Sequence, residues 1–531
     1  MSVIILFCAV VIFTCIFTNK FSSKLGMPTL LIFMLLGILF GEDGILKLSY
    51  NDYDLTSKLC SIALLLIIFY GGFCTKKPEN KKIGFLAGVL SSLGTVLTAL
   101  LTAAFCFYGL KMPFVESFLV GAILSSTDAA SVFSILRSKK LNLKYNTAPV
   151  LEIESGSNDP FAYMLTVLGI FLLKGEPVTK IIPVFFEQVG YGVLFGILTA
   201  LLGIFIFKKT KLVQEGYDSL FVMALALLSF AVPDLIGGNG YLSVYLTGII
   251  LGNSEIKNKI NLIYFFDGIT SLCQIVIFFL LGFLSTPSRL GEVFVPMLGV
   301  ALFLTFAARP IATWLIMIPF RCNFRQILFV SAAGLRGAAS IVFAIFVVAQ
   351  DSMLKYDIFH IVFFVCLLSV AIQGSILPFL ARKLDLIDEY SDVLKTFNDY
   401  QNESAITLSK TFVGENHPWV NKQLKDIKLD NNSLVLLIQR NGCKIVPKGD
   451  VQILQNDLIL LGTTVTHSSS DIKLREMEIT DKHEWKNKKI KDIEFQPDFL
   501  IALIKRNKTS FVPNGDTILL EGDIVVFYMA S

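Results

Sequence analysis

The chain opens on an almost unbroken apolar run, and comparable runs return up to about residue 380. A bilayer-crossing helix needs roughly 17–25 mostly apolar residues. Candidate stretches lie near 2–18, 27–41, 59–73, 84–109, 115–136, 147–173, 181–207, 218–234, 240–253, 262–284, 293–319, 326–349 and 356–381. They predict an all-α polytopic membrane domain of about thirteen helices over residues 1–384. Polar, charged sequence follows over 385–416 and reads as a linker. Beyond it, short segments of period-two alternation between turn residues predict small α+β domains, at 417–465 and 478–531.

Composition agrees with that pattern. Hydrophobic residues make up 54% of the 531 positions and charged residues 17%, where soluble globular proteins carry about 25% charged. Mean hydropathy is +0.67. These values exclude a secreted domain, a cytosolic enzyme and a disordered tail. The nine cysteines are scattered and form no CxxC pair, metal spacing or disulfide framework. The first apolar run has no basic leader and no small-residue cleavage site, so it is kept as a span. Basic residues gather in alternate loops, for example Lys76, Lys77, Lys81 and Lys82, then Arg137, Lys139, Lys140 and Lys144, then Lys208, Lys209 and Lys211. The positive-inside rule then places the N-terminus outside a cell membrane and the C-terminal region in the cytosol.

Among the ionisable residues inside apolar segments, five stand out: Asp128, Glu154, Asp159, Arg309 and Arg336. At membrane depth such groups are costly and mark functional sites by default. Asp128 sits in Ser125-Ser126-Thr127-Asp128-Ala129-Ala130-Ser131, a poor uninterrupted membrane helix whose hydroxyls and freed carbonyls suit a desolvated cation. Asp159 precedes Pro160 and follows Gly156, which predicts a second break. Gly334-Leu335-Arg336-Gly337-Ala338-Ala339-Ser340 echoes Thr127-Asp128-Ala129-Ala130-Ser131, the weak internal symmetry expected of inverted-repeat transporters. Arg336 stays charged at all working pH and needs a buried anion, for which Glu154 is the candidate. Arg309 is read as structural, a kink cap or a lipid-headgroup partner.

At these residues the sequence resembles the NhaP-type monovalent cation–proton antiporters. The motifs are Ser126-Thr127-Asp128, Glu154-Ser155-x-x-Asn158-Asp159, Gly238-Asn-Gly-Tyr-Leu-Ser-Val-Tyr-Leu-Thr-Gly248 and Gly334-Leu-Arg-Gly337. The resemblance implies a dimer with a dimerisation domain and a six-helix core containing two crossed, unwound helices. It implies that Asp159 is the exchanging carboxylate, that Thr127, Asp128, Ser155 and Asn158 help bind the cation, and that Glu154 pairs with Arg336. Asn158 before Asp159 implies electroneutral exchange. Gly156-Ser157 is more polar than the family's usual pair, and Tyr70-Gly71-Gly72-Phe73 lacks an acidic residue that some members carry nearby.

The C-terminal region duplicates itself at a constant offset of 66 positions. His417, Trp419, Asn421 and Lys422 fall on His483, Trp485, Asn487 and Lys488, Arg440-Asn441 on Arg506-Asn507, and Pro447, Gly449, Asp450 and Asp457 on Pro513, Gly515, Asp516 and Asp523. Each copy resembles the RCK-C, or TrkA-C, ligand-binding domain of potassium-conductance regulators. That likeness implies a pseudo-dimer, a cyclic dinucleotide as a regulatory ligand, and K+ ahead of Na+ as the exchanged cation. No strand–GxGxxG–helix precedes either copy, so a nicotinamide dinucleotide is not expected. The sequence shows no nucleophile–base pair, cofactor motif or nucleic-acid patch, so neither an enzyme nor a nucleic-acid binder is expected. The alternative is a ligand-gated cation channel, but a TVGYG-like filter is absent.

Overall fold

The computed structural model describes residues 2–25, 29–48, 50–75, 81–138, 143–209, 216–254, 256, 259–350, 354–387, 407–414, 417, 419–427, 429, 433–440, 443–463, 474–479, 483–493, 499–506, 509–511 and 513–529. Lys76, Lys77, Lys139, Lys140, Lys211, Asn441 and Asn507 lie outside them. The chain divides into two compact units, Met1–Asp388 and Glu389–Ser531.

Helix occupies all thirteen apolar stretches of the first unit. Among the described residues, seven helices are long and apolar enough to cross a membrane by length and composition, including Tyr53–Cys74, Ile181–Phe207 and Lys259–Leu284. Shorter apolar helices include Thr29–Phe40, Phe114–Ile123, Gly240–Gly252 and Ala338–Gln350. Two stretches are split in half. Phe114–Ile123 and Ala129–Ser138 flank an unwound segment at 124–128, and Phe324–Ala332 and Ala338–Gln350 flank another at 333–337. Small polar residues and glycine explain both breaks, since they compete for or expose the backbone bonds of a helix.

The same element order surrounds each break. A helix with a widened π-turn (Leu90–Gly94 or Leu304–Ala308) comes before it, and a helix starting at Thr147 or Ile358 comes after. This is the internal repeat that the short echo of motifs implied.

The break expected at Gly156–Pro160 does not occur. Thr147–Leu173 is one 27-residue helix with Pro160 inside it. Proline withholds only one amide, and the ladder continues on both sides. The Asn239 side-chain amide donates to the Pro160 carbonyl at 2.8 Å, binding the helix directly beside Asp159. Asn239 also caps helix Gly240–Gly252 through the Leu242 amide, so one side chain ties two helices together.

Close helix crossings rest on glycine. A Cβ at Gly282 would run into the Met34 backbone and sit 3.1 Å from the Gly37 Cα; one at Gly248 would sit 2.9 Å from the Phe73 amide nitrogen. Small residues at such crossings are how membrane helices pack without a hydrophobic driving force between them. At the end of the unit, the Lys144 amide donates to the Leu386 carbonyl at 2.8 Å, and Leu143 bridges Ile387. The turn before the Asp159 helix is thereby fastened to the last described residues of this unit.

In the second unit, strands β1 (Thr407–Phe412), β2 (Ser433–Arg440), β3 (Cys443–Ile445) and β4 (Leu458–Thr463) form a sheet in the order β1-β4-β2-β3. Strands β5 (Leu474–Glu478), β6 (Phe499–Arg506), β7 (Thr509–Phe511) and β8 (Ile524–Met529) repeat it as β5-β8-β6-β7. Even the bulge recurs, between Val435 and Leu437 and between Ile501 and Leu503. Helical turns among the described residues are short, at Leu424–Asp426 and Ile490–Asp492.

Each copy is pinned by a buried aspartate. Arg440 Nε and Nη2 both donate to Asp457 at 2.8 Å, and Arg506 grips Asp523 the same way at 2.7 Å. Burial pushes the Asp457 carboxyl up, but Arg440 and the Leu454 amide outweigh it and hold it below the usual carboxylate value. Leu436, Leu437, Leu460 and Ala502 share one apolar cluster, so the two sheets pack on each other.

Replacing Gly282 by valine is expected to destabilise the membrane unit by about 1–3 kcal/mol. Thermal unfolding of the full chain in detergent measures it, and an unshifted transition would contradict the close crossing.

Candidate functional site

The two unwound segments meet. The Asp128 amide donates to the Leu335 carbonyl at 2.8 Å, and Arg336 Nη1 donates to the Ser126 carbonyl at 2.7 Å. The Thr127 carbonyl accepts from Ser155 Oγ at 2.5 Å, and the Arg336 amide donates to Ser369 Oγ at 3.1 Å. Backbone groups freed by each break are therefore taken up by protein, as a non-helical backbone at membrane depth requires. Asp128 caps the helix that follows it: the Ser131 amide donates to its Oδ1 at 3.2 Å and the Ser131 hydroxyl to its Oδ2 at 2.5 Å. Its carboxylate also occupies the space where a Gly337 side chain would begin, beside the start of helix Ala338–Gln350. One carboxylate thus serves the positive ends of two half-helices.

Helix Thr147–Leu173 lays Glu154, Ser155, Asn158 and Asp159 against this crossover. Three and four residues apart, they share one helix face. Thr127, Ser155 and Asn158 bind one another: Asn158 Nδ2 donates to Thr127 Oγ1 at 2.5 Å, and Thr127 Oγ1 donates to Ser155 Oγ at 3.2 Å. Asn158 Nδ2 also reaches Glu154 Oε1 at 3.4 Å, while Asn158 Oδ1 is buried without a hydrogen-bond partner. Asp159 lies outside that mutual network. Its Oδ1 accepts a short hydrogen bond from the Ser126 hydroxyl. Glu154, Asn158 and Ser126 are sealed at 1%, 0% and 1% exposure, whereas Asp159 keeps part of its surface open.

The expected Glu154–Arg336 pair is not what forms. Arg309 Nη2 binds Glu154 Oε2 at 2.9 Å with both side chains buried. Arg309 enters from helix Arg309–Met317, immediately after the π-turn, and packs against Gly334, where a side chain would collide with its Nε. Arg336 has instead turned to the Ser126 carbonyl in the unwound segment beyond helix Phe114–Ile123, and Glu154 acts on it only through space.

The family model for the transmembrane sodium/hydrogen exchanger matches residues 9–383, most of the chain. The chain belongs to the sodium/hydrogen exchanger family. The TrkA-C domain matches twice, at 412–466 and 474–531. The chain is 32% identical over 445 residues to the K(+)/H(+) antiporter NhaP2 of Shewanella sp. strain ANA-3, covering 82% of this chain and 77% of the relative. It is 34% identical over 428 residues to the K(+)/H(+) antiporter NhaP of Alkalimonas amylolytica, covering 79% and 74%. The fold matches the sodium proton antiporter MjNhaP1 of Methanocaldococcus jannaschii with a TM-score of 0.63 at 23% identity, over 71% of this chain and all of that one.

In this exchanger the structure brings together every residue named from the sequence: Thr127, Asp128, Glu154, Ser155, Asn158, Asp159 and Arg336. Sequence reasoning gave two more no partner at the site, Ser126 and Arg309. Ser126 lay inside a motif already noted, and its hydroxyl was the available signal. Arg309 was visible as a buried charge, but the choice between two arginines depends on the fold. His417 and His483, which had no assigned role, accept the amides of Trp419 and Trp485 at 3.3 and 3.2 Å and act locally.

Arg309→Met leaves Glu154 buried and unpaired, at an expected cost of about 3–5 kcal/mol, and Arg309→Met/Glu154→Met recovers most of it. Thermal unfolding of the two variants measures this. A double variant no more stable than the single one would mean the two side chains are not a pair.

Proposed function

We propose that this chain is a secondary antiporter exchanging K+ for H+ one for one, with Asp159 as the site the two ions share. The charges at the crossover carry the reading. Arg309 and Arg336 are matched by Glu154 and Asp128, and Asp159 is the one carboxylate beyond that balance. Ionised and empty, it would leave a net negative charge in a low-dielectric interior, and a barrier-crossing movement in that state is costly. A bound proton or a bound monovalent cation removes the excess equally well. Both cannot occupy one carboxylate, so the two must travel in opposite directions. Asn158 contributes polarity without a titrating charge, which supports electroneutral stoichiometry.

K+ is favoured over Na+ by the names of the Shewanella and Alkalimonas relatives and by the tandem TrkA-C domains. A related protein of M. jannaschii, 27% identical, is named a Na(+)/H(+) antiporter, which makes Na+ the second choice. The exchanger acts as a homodimer in the cell membrane, with its N-terminus outside and the tandem domain in the cytosol. A cyclic dinucleotide held by the tandem domain sets its activity. It is a transporter and not an enzyme.

Asp159→Asn, purified and reconstituted, is expected to abolish K+- and Na+-driven recovery of a pH dye in proteoliposomes. Retained exchange would refute the shared-site model. Removing residues 389–531 is expected to change the half-maximal cation concentration or the pH profile of exchange. Identical curves for the truncated and full chains would dispose of the regulatory role.

A further inference from the structure

We propose that Ser126 is a direct ligand of the transported cation and the side chain that sets which monovalent cation Asp159 accepts; this deepens the exchange reading above and rests on it. Four neighbouring hydroxyls, those of Ser125, Thr127, Ser131 and Ser155, are committed. Ser125 Oγ is turned back onto the Ala122 carbonyl at 2.6 Å. Thr127 and Ser155 are engaged with each other, and Ser155 also holds the Thr127 carbonyl. Ser131 is bound to Asp128. Ser126 alone among these hydroxyls donates to Asp159, and it does so from a backbone that cannot drift. Arg336 grips its carbonyl at 2.7 Å, and two residues later the Asp128 amide is tied to Leu335.

A hydroxyl carries one donor hydrogen and two lone pairs, and it reorients by rotation about its own C–O bond. With the site empty, Ser126 donates to the Asp159 carboxylate. With the proton aboard, it accepts from the carboxylic acid. When a cation arrives, the hydrogen swings away and a lone pair faces the ion, with no movement of the main chain. All three states are served from one fixed position, and none changes the charge of the site. The buried, unpartnered Asn158 Oδ1 is a second neutral oxygen in the same network.

Neutral oxygens also bear on which ion is accepted. Selectivity among monovalent cations depends on the number and field strength of the coordinating oxygens. A lone carboxylate is a strong-field ligand and favours small ions, whereas added hydroxyl and amide oxygens spread the coordination and favour larger, more weakly hydrated ones. Ser126 therefore shifts the site toward K+ and Rb+.

The test is exchange by the reconstituted full chain across Li+, Na+, K+ and Rb+, with Asp159→Asn as the inert control. Ser126→Ala is expected to raise the half-maximal K+ concentration about tenfold. The Li+ value should rise less, and the maximal rate should stay close to the original, as when a binding contact alone is removed. Ser126→Cys, which is nearly isosteric but offers a poor ligand for hard cations, should shift the same way, and Ser126→Thr should keep the original order of ions. Unchanged half-maximal concentrations in Ser126→Ala and Ser126→Cys, with Asp159→Asn inert, would overturn the ligand role and leave antiport standing. A Thr variant displaced as far as Ala would also overturn it. Wild-type vesicles without exchange, or an active Asp159→Asn, would take down the antiport reading itself.

Discussion

Two stretches of backbone lose their helical bonds in the middle of the membrane unit, and each can exist only because the other is there. The Asp128 amide needs the Leu335 carbonyl, and the Ser126 carbonyl needs the Arg336 guanidinium. Unpaired in hydrocarbon, such groups would cost several kcal/mol apiece. This mutual satisfaction fixes where the half-helices begin and end. It therefore fixes where their terminal charges point, and where Asp128 must sit to offset them. Asn239 ties helix Thr147–Leu173, which carries Asp159, to helix Gly240–Gly252.

The arrangement separates charges that hold the structure from the one that works. Glu154 is sealed against Arg309, Asp128 is spent on helix ends, and Arg336 is spent on a carbonyl. Thr127, Ser155 and Asn158 form a rigid polar plate whose members mainly bind one another. Asp159 is left with a single rotatable hydroxyl and an opening to its surroundings. The residue types in this cluster are ordinary, and their division of labour comes from which of them already have partners.

Much of this was legible beforehand. Long apolar runs announce membrane helices because hydrocarbon admits little else, and clustered small polar residues or glycines announce the breaks at 124–128 and 333–337. The 66-residue offset announced the duplicated unit, but strand β1 lies in the segment read as a linker and β5 at the edge of the second domain. Two further points were not legible. Pro160 looked like a helix end, but one missing amide does not stop a helix whose ladder continues on both sides of it. The partner of Glu154 was misassigned because Arg309 and Arg336 are chemically equal. Only the π-turn before Arg309 and the carbonyl waiting for Arg336 distinguish them.

The doubled sheet has a consequence of its own. Two identical subunits that associate freely come apart on dilution, and their shared face must obey strict symmetry. Here both halves belong to one polypeptide, so their encounter is intramolecular and insensitive to how much protein the membrane holds. Their facing surfaces are also released from being copies of each other: within the shared cluster, Leu436 of one half corresponds to Ala502 of the other. Fusion has turned a symmetric pairing into one whose two sides can evolve separately.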